Sequence, residues 1–302
     1  MNHYEFLSKN WIGSCSDYQK SNWILTGIPF DGTCSYRPGT RFAPQEIRLA
    51  SWGLETYSPV LDKDLNDISF YDLGDLDLAF GNTQKVLSTI NSCVYDILKD
   101  NKKFFGIGGE HLVTLPVIEA YLKKYPKIVL VHFDAHTDLR EEYLGEKYSH
   151  ACVVRHIANK IGPENLIQIG IRSGEKSEFE YMYKHNTLIR QKDELLMKLN
   201  SINANYRIKR KVDDDAQQES ENIPIFITVD IDVLDPSILP GTGTPEAGGF
   251  SYNELISWLS LFKEQNIVGC DVVELSPHYD SSGISTAVTA KLIREMLLMF
   301  AS

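Results

Sequence analysis

The 302-residue chain carries 41 acidic against 30 basic residues, a formal charge of −11, and 43% of it is hydrophobic. An acidic chain without a basic stripe does not suit nucleic acid, whose phosphates demand clustered Lys and Arg, and no apolar run approaches the roughly 20 residues that cross a bilayer. The opening MNHYEFLSKNWIGSCSD lacks the basic-then-apolar layout of an export signal, and Cys15, Cys34, Cys93, Cys152 and Cys270 are scattered without a CxxC pair, so a cytoplasmic protein with reduced cysteines is expected.

Short apolar runs alternate with amphipathic ones, the rhythm of an α/β domain whose parallel sheet is covered by helices on both faces. Strands are predicted at Trp23 to Phe30 and Ile68 to Leu73. Thr83 to Lys99 follows as a helix, because Val86, Ile90, Val94, Ile97 and Leu98 recur at steps that build one buried stripe. Next come a strand at Lys103 to Ile107, a helix at Leu112 to Lys124, a strand at Ile128 to Ala135, a helix at His150 to Asn159 and a strand at Asn165 to Ile171. From Leu188 to Pro224 the pattern weakens. Lys209, Arg210 and Lys211 run into Asp213, Asp214 and Asp215 and then a Gln/Glu/Ser-rich stretch, which reads as an exposed, partly mobile excursion without chemistry from a single domain over 1–302. A strand at Ile225 to Val233, a helix at Tyr252 to Glu264, a strand at Ile267 to Leu275 and a helix at Thr286 to Phe300 complete the chain.

Polar residues gather where these strands end. The segment IVLVHFDAHTD (128–138) begins apolar and finishes with His132, Asp134, His136 and Asp138 at alternate positions, which a strand would set on one face. The segment FITVDIDVLDP (226–236) repeats the design with Asp230 and Asp232, and His111 follows GIGGE (106–110) at the end of another strand. Crowded carboxylates lose hydration and repel one another unless something cationic sits among them, so a metal is implied. In open parallel sheets ligands gather outside the carboxyl ends of the strands, where these tips can share one crevice. His111, Asp134, His136, Asp138, Asp230 and Asp232 supply two imidazoles and four carboxylates, more anionic oxygen than one divalent ion needs, and two ions are therefore expected. An oxygen-rich set with a minority of histidine suits Mn²⁺ better than Zn²⁺, and ions about 3.5 Å apart can activate a shared water for hydrolysis. His132, deepest in its strand, reads as a hydrogen-bonded core residue.

The motifs GGEH (108–111), DAHTD (134–138) and DIDVLDP (230–236) resemble those of the ureohydrolase family, which includes arginase and agmatinase. The likeness extends from GIPFD (27–31) and RPGTRFAPQEIR (37–48) to DVVELSP (271–277). This resemblance implies a three-layer αβα sandwich with a mainly parallel, doubly covered β-sheet, two Mn²⁺ ions, and hydrolysis of a guanidino compound to urea and an amine. It implies one ion on His111, Asp134, Asp138 and Asp230, and the other on Asp134, His136, Asp230 and Asp232. Glu274 falls where the family grips the guanidinium, whose planar N–H fork a carboxylate matches. His150 falls where the family shuttles protons, a role suited to a group that titrates near neutrality. The implied catalytic set is His150, Glu274 and Asp138, with Glu274 and His150 meeting the substrate, and the implied assembly is a homo-oligomer, trimer or hexamer.

The loop Leu139 to Ser149 differs from that of arginases. Its Glu141, Glu142 and Glu146 would repel the α-carboxylate of arginine and tolerate the free ammonium of agmatine, and RPGTRFAPQEIR resembles agmatinases more than arginases. Agmatine hydrolysis to putrescine and urea, a step of polyamine biosynthesis, is therefore expected. The alternatives are another ureohydrolase, a guanidinobutyrase or arginase, or a non-catalytic, metal-stabilised binding protein on the same fold. His156, His185 and His278 receive no role.

Overall fold

The computed structural model describes residues 10–213 and 222–301. In chain order its elements are β1 (Trp23–Ile28), α1 (Ala43–Ser51), β2 (Tyr57–Ser58), β3 (Lys63–Asp64), β4 (Phe70–Asp75), α2 (Thr83–Lys99), β5 (Lys103–Gly108), α3 (Thr114–Lys124) and β6 (Val129–Phe133). They continue with α4 (Val153–Ile161), β7 (Leu166–Ile169), α5 (Lys176–His185), β8 (Leu188–Ile189), α6 (Lys192–Asp213), β9 (Ile225–Asp230), α7 (Tyr252–Leu259), β10 (Ile267–Val273) and α8 (Ile284–Phe300). Eight strands form one sheet in the order β4-β1-β5-β10-β9-β6-β7-β8, and its neighbouring strands all pair in parallel.

Side chains of consecutive strand residues leave on opposite faces, and here both faces are apolar. Leu25, Phe105, Val131, Ile167 and Ile227 join α1, α7 and α8 in one core, while Ile24, Phe104, Leu130, Leu166 and Phe226 join α2, α3 and α4 in the other. The fold is thus the three-layer α/β sandwich that near-continuous apolar strands require. Helix α2 has the predicted bounds: Asn82 accepts the Lys85 N–H at 2.9 Å as its cap, and the expected stripe is buried. Helix α7 starts in a reciprocal capping box between Ser251 and Glu254.

The stretch expected to be an exposed excursion from Leu188 to Pro224 contains β8 and the 22-residue helix α6. Leu195, Leu199 and Tyr206 are buried against the sheet, with Ile202 packed beside them. These apolar positions keep helical spacing, but intervening Lys and Asn residues dilute the pattern in the sequence. The acidic and Gln/Glu/Ser-rich run at 214–221 lies outside the described residues. Among the described residues, no helix is long and apolar enough to cross a membrane, and all five cysteines are free.

Four consecutive strands at the middle of the sheet, β5, β10, β9 and β6, end on the residues singled out above. His111 follows β5, Glu274 follows β10, Asp230 ends β9 and Asp134 follows β6. The sheet order therefore brings together groups that are more than 160 residues apart.

Candidate metal centre and substrate pocket

The predicted alternation does not place the aspartates, because β6 stops at Phe133 and β9 at Asp230. Their carboxylates turn back onto backbone N–H groups instead, the short-range bonding that aspartate favours in turns. Asp134 Oδ1 accepts from His136 N at 2.5 Å and Asp230 Oδ1 from Asp232 N at 2.8 Å. Asp232 Oδ1 accepts from Ala135 N at 3.0 Å, which ties the β9 tip to the β6 tip. Asp138 and Glu274 have φ of +51° and +67°, left-handed conformations that cost a non-glycine residue roughly 1–3 kcal/mol and concentrate at functional sites.

On the β5 side, Gly109 is required by close approach: a Cβ there would lie 1.9 Å from the Phe30 carbonyl oxygen. This contact brings His111 to the centre. Its Nδ1 lies 3.1 Å from Asp134 Oδ2, 3.3 Å from Asp138 Oδ2 and 3.5 Å from Asp230 Oδ2. His136 Nδ1 lies 2.9 Å from Asp232 Oδ2 and 3.5 Å from Asp134 Oδ1. Asp134 consequently offers one oxygen to each imidazole.

Two donor sets have their atoms within 4.8 Å of one another: His111, His132, Asp134 and Asp138, and then Asp134, His136 and Asp232. Asp230 falls in neither set at that distance, although it faces His111 and lines the adjoining pocket. His132, expected as a hydrogen-bonded core residue, is buried, with Nε2 donating to Asp134 Oδ2 at 2.7 Å and Nδ1 accepting from Gln168 Nε2 at 3.3 Å, yet it also falls in the first donor set.

A second chain of bonds selects the His111 tautomer. Its Nε2 donates to Thr228 Oγ1 at 2.9 Å; Thr114, 3.5 Å from that hydroxyl, donates to Asp271 Oδ2 at 2.9 Å. The His111 Nδ1 lone pair then points at three carboxylate oxygens, and this buried atom has no hydrogen-bond partner. Acceptors facing acceptors in a buried site need a cation between them, so the donor set fits divalent metal. Sequence reasoning missed Thr228, Thr114 and Asp271. The signal was available in Asp271, a charged residue inside the apolar run of β10.

Burial and neighbouring charge pull the groups in opposite directions. Burial lowers the His111 pKa, but the close carboxylates of Asp134, Asp138 and Asp230 carry it well above its usual value. Burial raises that of Asp134, yet His132, His111 and His136 bring it well below the usual range. Asp230 is pushed well up by burial and by the charges of Asp232 and Asp134, and Glu274 by burial and the charge of Glu110. Burial lowers the pKa of His150, against the charge of Asp138.

The pocket that opens on this centre is lined by Asp138, His150 and Thr244 beside the metal donors, and by Arg140, Tyr143 and Glu175 farther out. Glu274, expected to meet the substrate, is buried and is not among the residues that line this pocket; its Oε1 accepts the His111 N–H at 2.7 Å. The loop from 139 to 149 closes on itself through reciprocal Tyr143 and Glu146 backbone bonds of 2.9 Å. This arrangement corrects one expectation. Glu141, Glu142 and Glu146 are exposed and do not line the pocket; the acidic wall comes from Glu175 and Glu178 of the β7-to-α5 region, while the loop contributes Arg140 and Tyr143. His156 meets the Lys147 carbonyl at 2.8 Å, and His185 and His278 pack on Tyr181 and Phe42.

Carboxylates and imidazoles buried at the ends of a doubly covered parallel sheet, yet open to one pocket, form a donor set for divalent metal at the place where open α/β sheets bind their ligands. A sequence profile of the arginase family matches residues 21–299, and the chain belongs to that family. It is 45% identical to the agmatinase of Bacillus subtilis (strain 168) over 297 residues, covering 98% of this chain and 97% of that protein. The solved agmatine ureohydrolase of Thermoplasma volcanium is 32% identical with a TM-score of 0.80, covering 97% of this chain and 94% of that one. Proclavaminate amidino hydrolase from Streptomyces clavuligerus is 31% identical with a TM-score of 0.82, covering 98% of each. The chain is thus a ureohydrolase, an enzyme of the arginase fold and most like the agmatinases.

Proposed function

We propose that the protein hydrolyses agmatine to putrescine and urea with two Mn²⁺ ions, held by His111, Asp134, His136, Asp138, Asp230 and Asp232. When bound, the ions supply a water of lowered pKa and stabilise charge at the guanidinium carbon. Asp134, with one oxygen near His111 and the other near His136, would help to hold both ions. Glu274 grips and orients the guanidinium, its second carboxylate oxygen remaining after Oε1 takes the His111 N–H. His150, at the pocket wall beside Asp138, hands a proton to the departing amine.

The observation that carries the choice of substrate is the state of the one arginine in the pocket wall. Arg140 pairs with Glu175 at 3.0 Å and lies 4.5 Å from the Tyr143 ring centroid, so it is engaged and does not present a free cation to a substrate carboxylate. Glu178 adds a second negative charge while accepting the Leu139 and Glu175 N–H groups. A wall of this sign favours the ammonium of a decarboxylated substrate, in keeping with the likeness to agmatinases. Urea release by the Mn²⁺-loaded protein from agmatine, arginine and 4-guanidinobutyrate tests this reading, and preference for either acid would overturn it. The same reading makes the protein a cytoplasmic homo-oligomer of polyamine synthesis. Its free cysteines accord with a reducing compartment, and light scattering measures the assembly.

A further inference from the structure

Glu110 is wholly buried one residue before His111 and is not one of the metal donors. Its backbone N–H reaches the Phe30 carbonyl at 2.7 Å, while its side chain serves the loop that follows β1. Oε2 accepts the Thr33 N–H at 2.7 Å, and Oε1 accepts the Thr33 hydroxyl. Thr33 Oγ1 in turn accepts the His150 backbone N–H at 3.1 Å. The directions agree, since a hydroxyl has one hydrogen to give and lone pairs with which to accept.

Two residues on, Ser35 Oγ lies 3.1 Å from His150 Nε2 and lines the pocket. The loop is closed behind by Asp31, which accepts the Gly39 N–H at 2.9 Å and pairs with Arg41. His150 is therefore gripped at its backbone and at its ring by one short loop, and that loop is fastened to a buried carboxylate. A satisfied buried network of this kind is rigid.

The geometry points to Glu110 as a positioning residue: through Thr33 it fixes the loop whose Ser35 orients the His150 ring, so that the metal-bearing strand tip and the proton-carrying histidine keep one spacing. This inference rests on the reading of His150 as the proton carrier. It assigns Thr33 and Ser35 to the reaction although neither touches the metal donors.

The test uses the Mn²⁺-loaded protein as wild type, Thr33→Val, Thr33→Ser and Glu110→Gln. Valine removes both the hydrogen given to Glu110 and the acceptor for His150, whereas serine retains them. Thr33→Val is expected to lower kcat for agmatine by about tenfold or more, with KM changed by less than about threefold, because proton transfer suffers and binding does not. Bound metal should stay at the wild-type level, and His150 should react faster with diethyl pyrocarbonate, read by peptide mass spectrometry. Thr33→Ser should restore both readouts, and Glu110→Gln, which keeps the acceptor for Thr33 N–H, should fall between. Wild-type kcat and His150 labelling in Thr33→Val would overturn the inference, as would a serine variant as impaired as the valine one. Loss of metal in proportion to activity would also overturn it, by showing that the segment serves His111 instead. If the wild type releases no urea from agmatine, the substrate reading fails, while the labelling rates still decide whether Thr33 holds His150.

Discussion

Two of the places where the chain buries charge resolve it in opposite ways. Beside β1, Arg48 lies between Asp72 and Asp75: its Nε and Nη2 bond Asp72 at 2.7 and 2.9 Å, and its Nη1 bonds Asp75. The remaining capacity of Asp72 is taken by Trp11 N at 2.7 Å and Gly74 N at 3.0 Å. At the middle of the sheet four aspartates converge on two imidazoles, and the His111 Nδ1 is left without a partner. The first cluster is complete within the protein, whereas the second is complete only with cations. What separates a structural ion cluster from a metal site is thus the balance of donors and acceptors, and the number of charged residues does not decide it.

The largest expected effect is on the incomplete cluster. Asp134→Asn or Asp232→Asn should lose bound metal and at least roughly a thousandfold of turnover together, as removal of a ligand that neutralises ionic charge demands; elemental analysis beside a urea assay checks this, and a variant with full turnover would break the contrast. The complete cluster should fail as structure. Arg48→Met leaves Asp72 buried and unpaired, a loss of about 3–5 kcal/mol by denaturant titration, with metal content per folded molecule unchanged. Next in size is metal linkage: Mn²⁺ at about 100 times its dissociation constant should stabilise the stripped protein by about 2.7 kcal/mol per site. The Arg48→Met variant should show the same gain and Asp134→Asn a smaller one, both followed by thermal denaturation.

A smaller effect tests the pocket wall. Glu175→Gln should release Arg140 from its pair and shift the agmatine-to-guanidinobutyrate preference by about tenfold toward the acid, since neutralising one local charge alters selectivity more than turnover; unchanged relative kcat/KM would show that Arg140 does not read the substrate. A third arrangement is a lone cation satisfied by carbonyls. Lys198 Nζ donates to Leu166 O and Asn186 O at 2.9 and 2.6 Å, and burial lowers its pKa to about 8. The unfolded chain then holds more protons than the folded one between that value and the ordinary lysine value of about 10.4, so this group makes stability rise with pH across that window. An amine-reactive label at pH 8 should therefore modify Lys198 ahead of well-hydrated lysines, and equal labelling would contradict the shift.

The central strands and α2 were legible because buried parallel strands read as apolar runs, and the carboxylates and imidazoles that cluster in the structure stood out where those runs break off at the strand tips. The bends that aim those carboxylates were not legible. Asp138 and Glu274 adopt left-handed φ through tertiary constraint, which no local pattern announces. Helix α1 was hidden because its core-facing side carries Arg48, a buried charge with partners on β4. Helix α5 was hidden because only Glu178 and Met182 are buried along it. The acidic pocket wall illustrates the limit: the glutamates near in sequence point to solvent, and the one paired with Arg140 comes from 35 residues beyond it.

The self-closed 139–149 loop has a consequence for how such an enzyme diversifies. Its start is held by Glu178 on the Leu139 N–H at 3.0 Å and its end by the Thr33 hydroxyl on the His150 N–H at 3.1 Å, while its tip is held by its own Tyr143 and Glu146 backbone pair. Substitutions between those anchors change what the pocket accepts without moving the donors beneath it. Over generations the tip can drift toward new guanidino compounds while the hydrolytic centre is inherited intact, so within such a lineage substrate range is the trait to expect to vary and bond cleavage the trait to expect to persist.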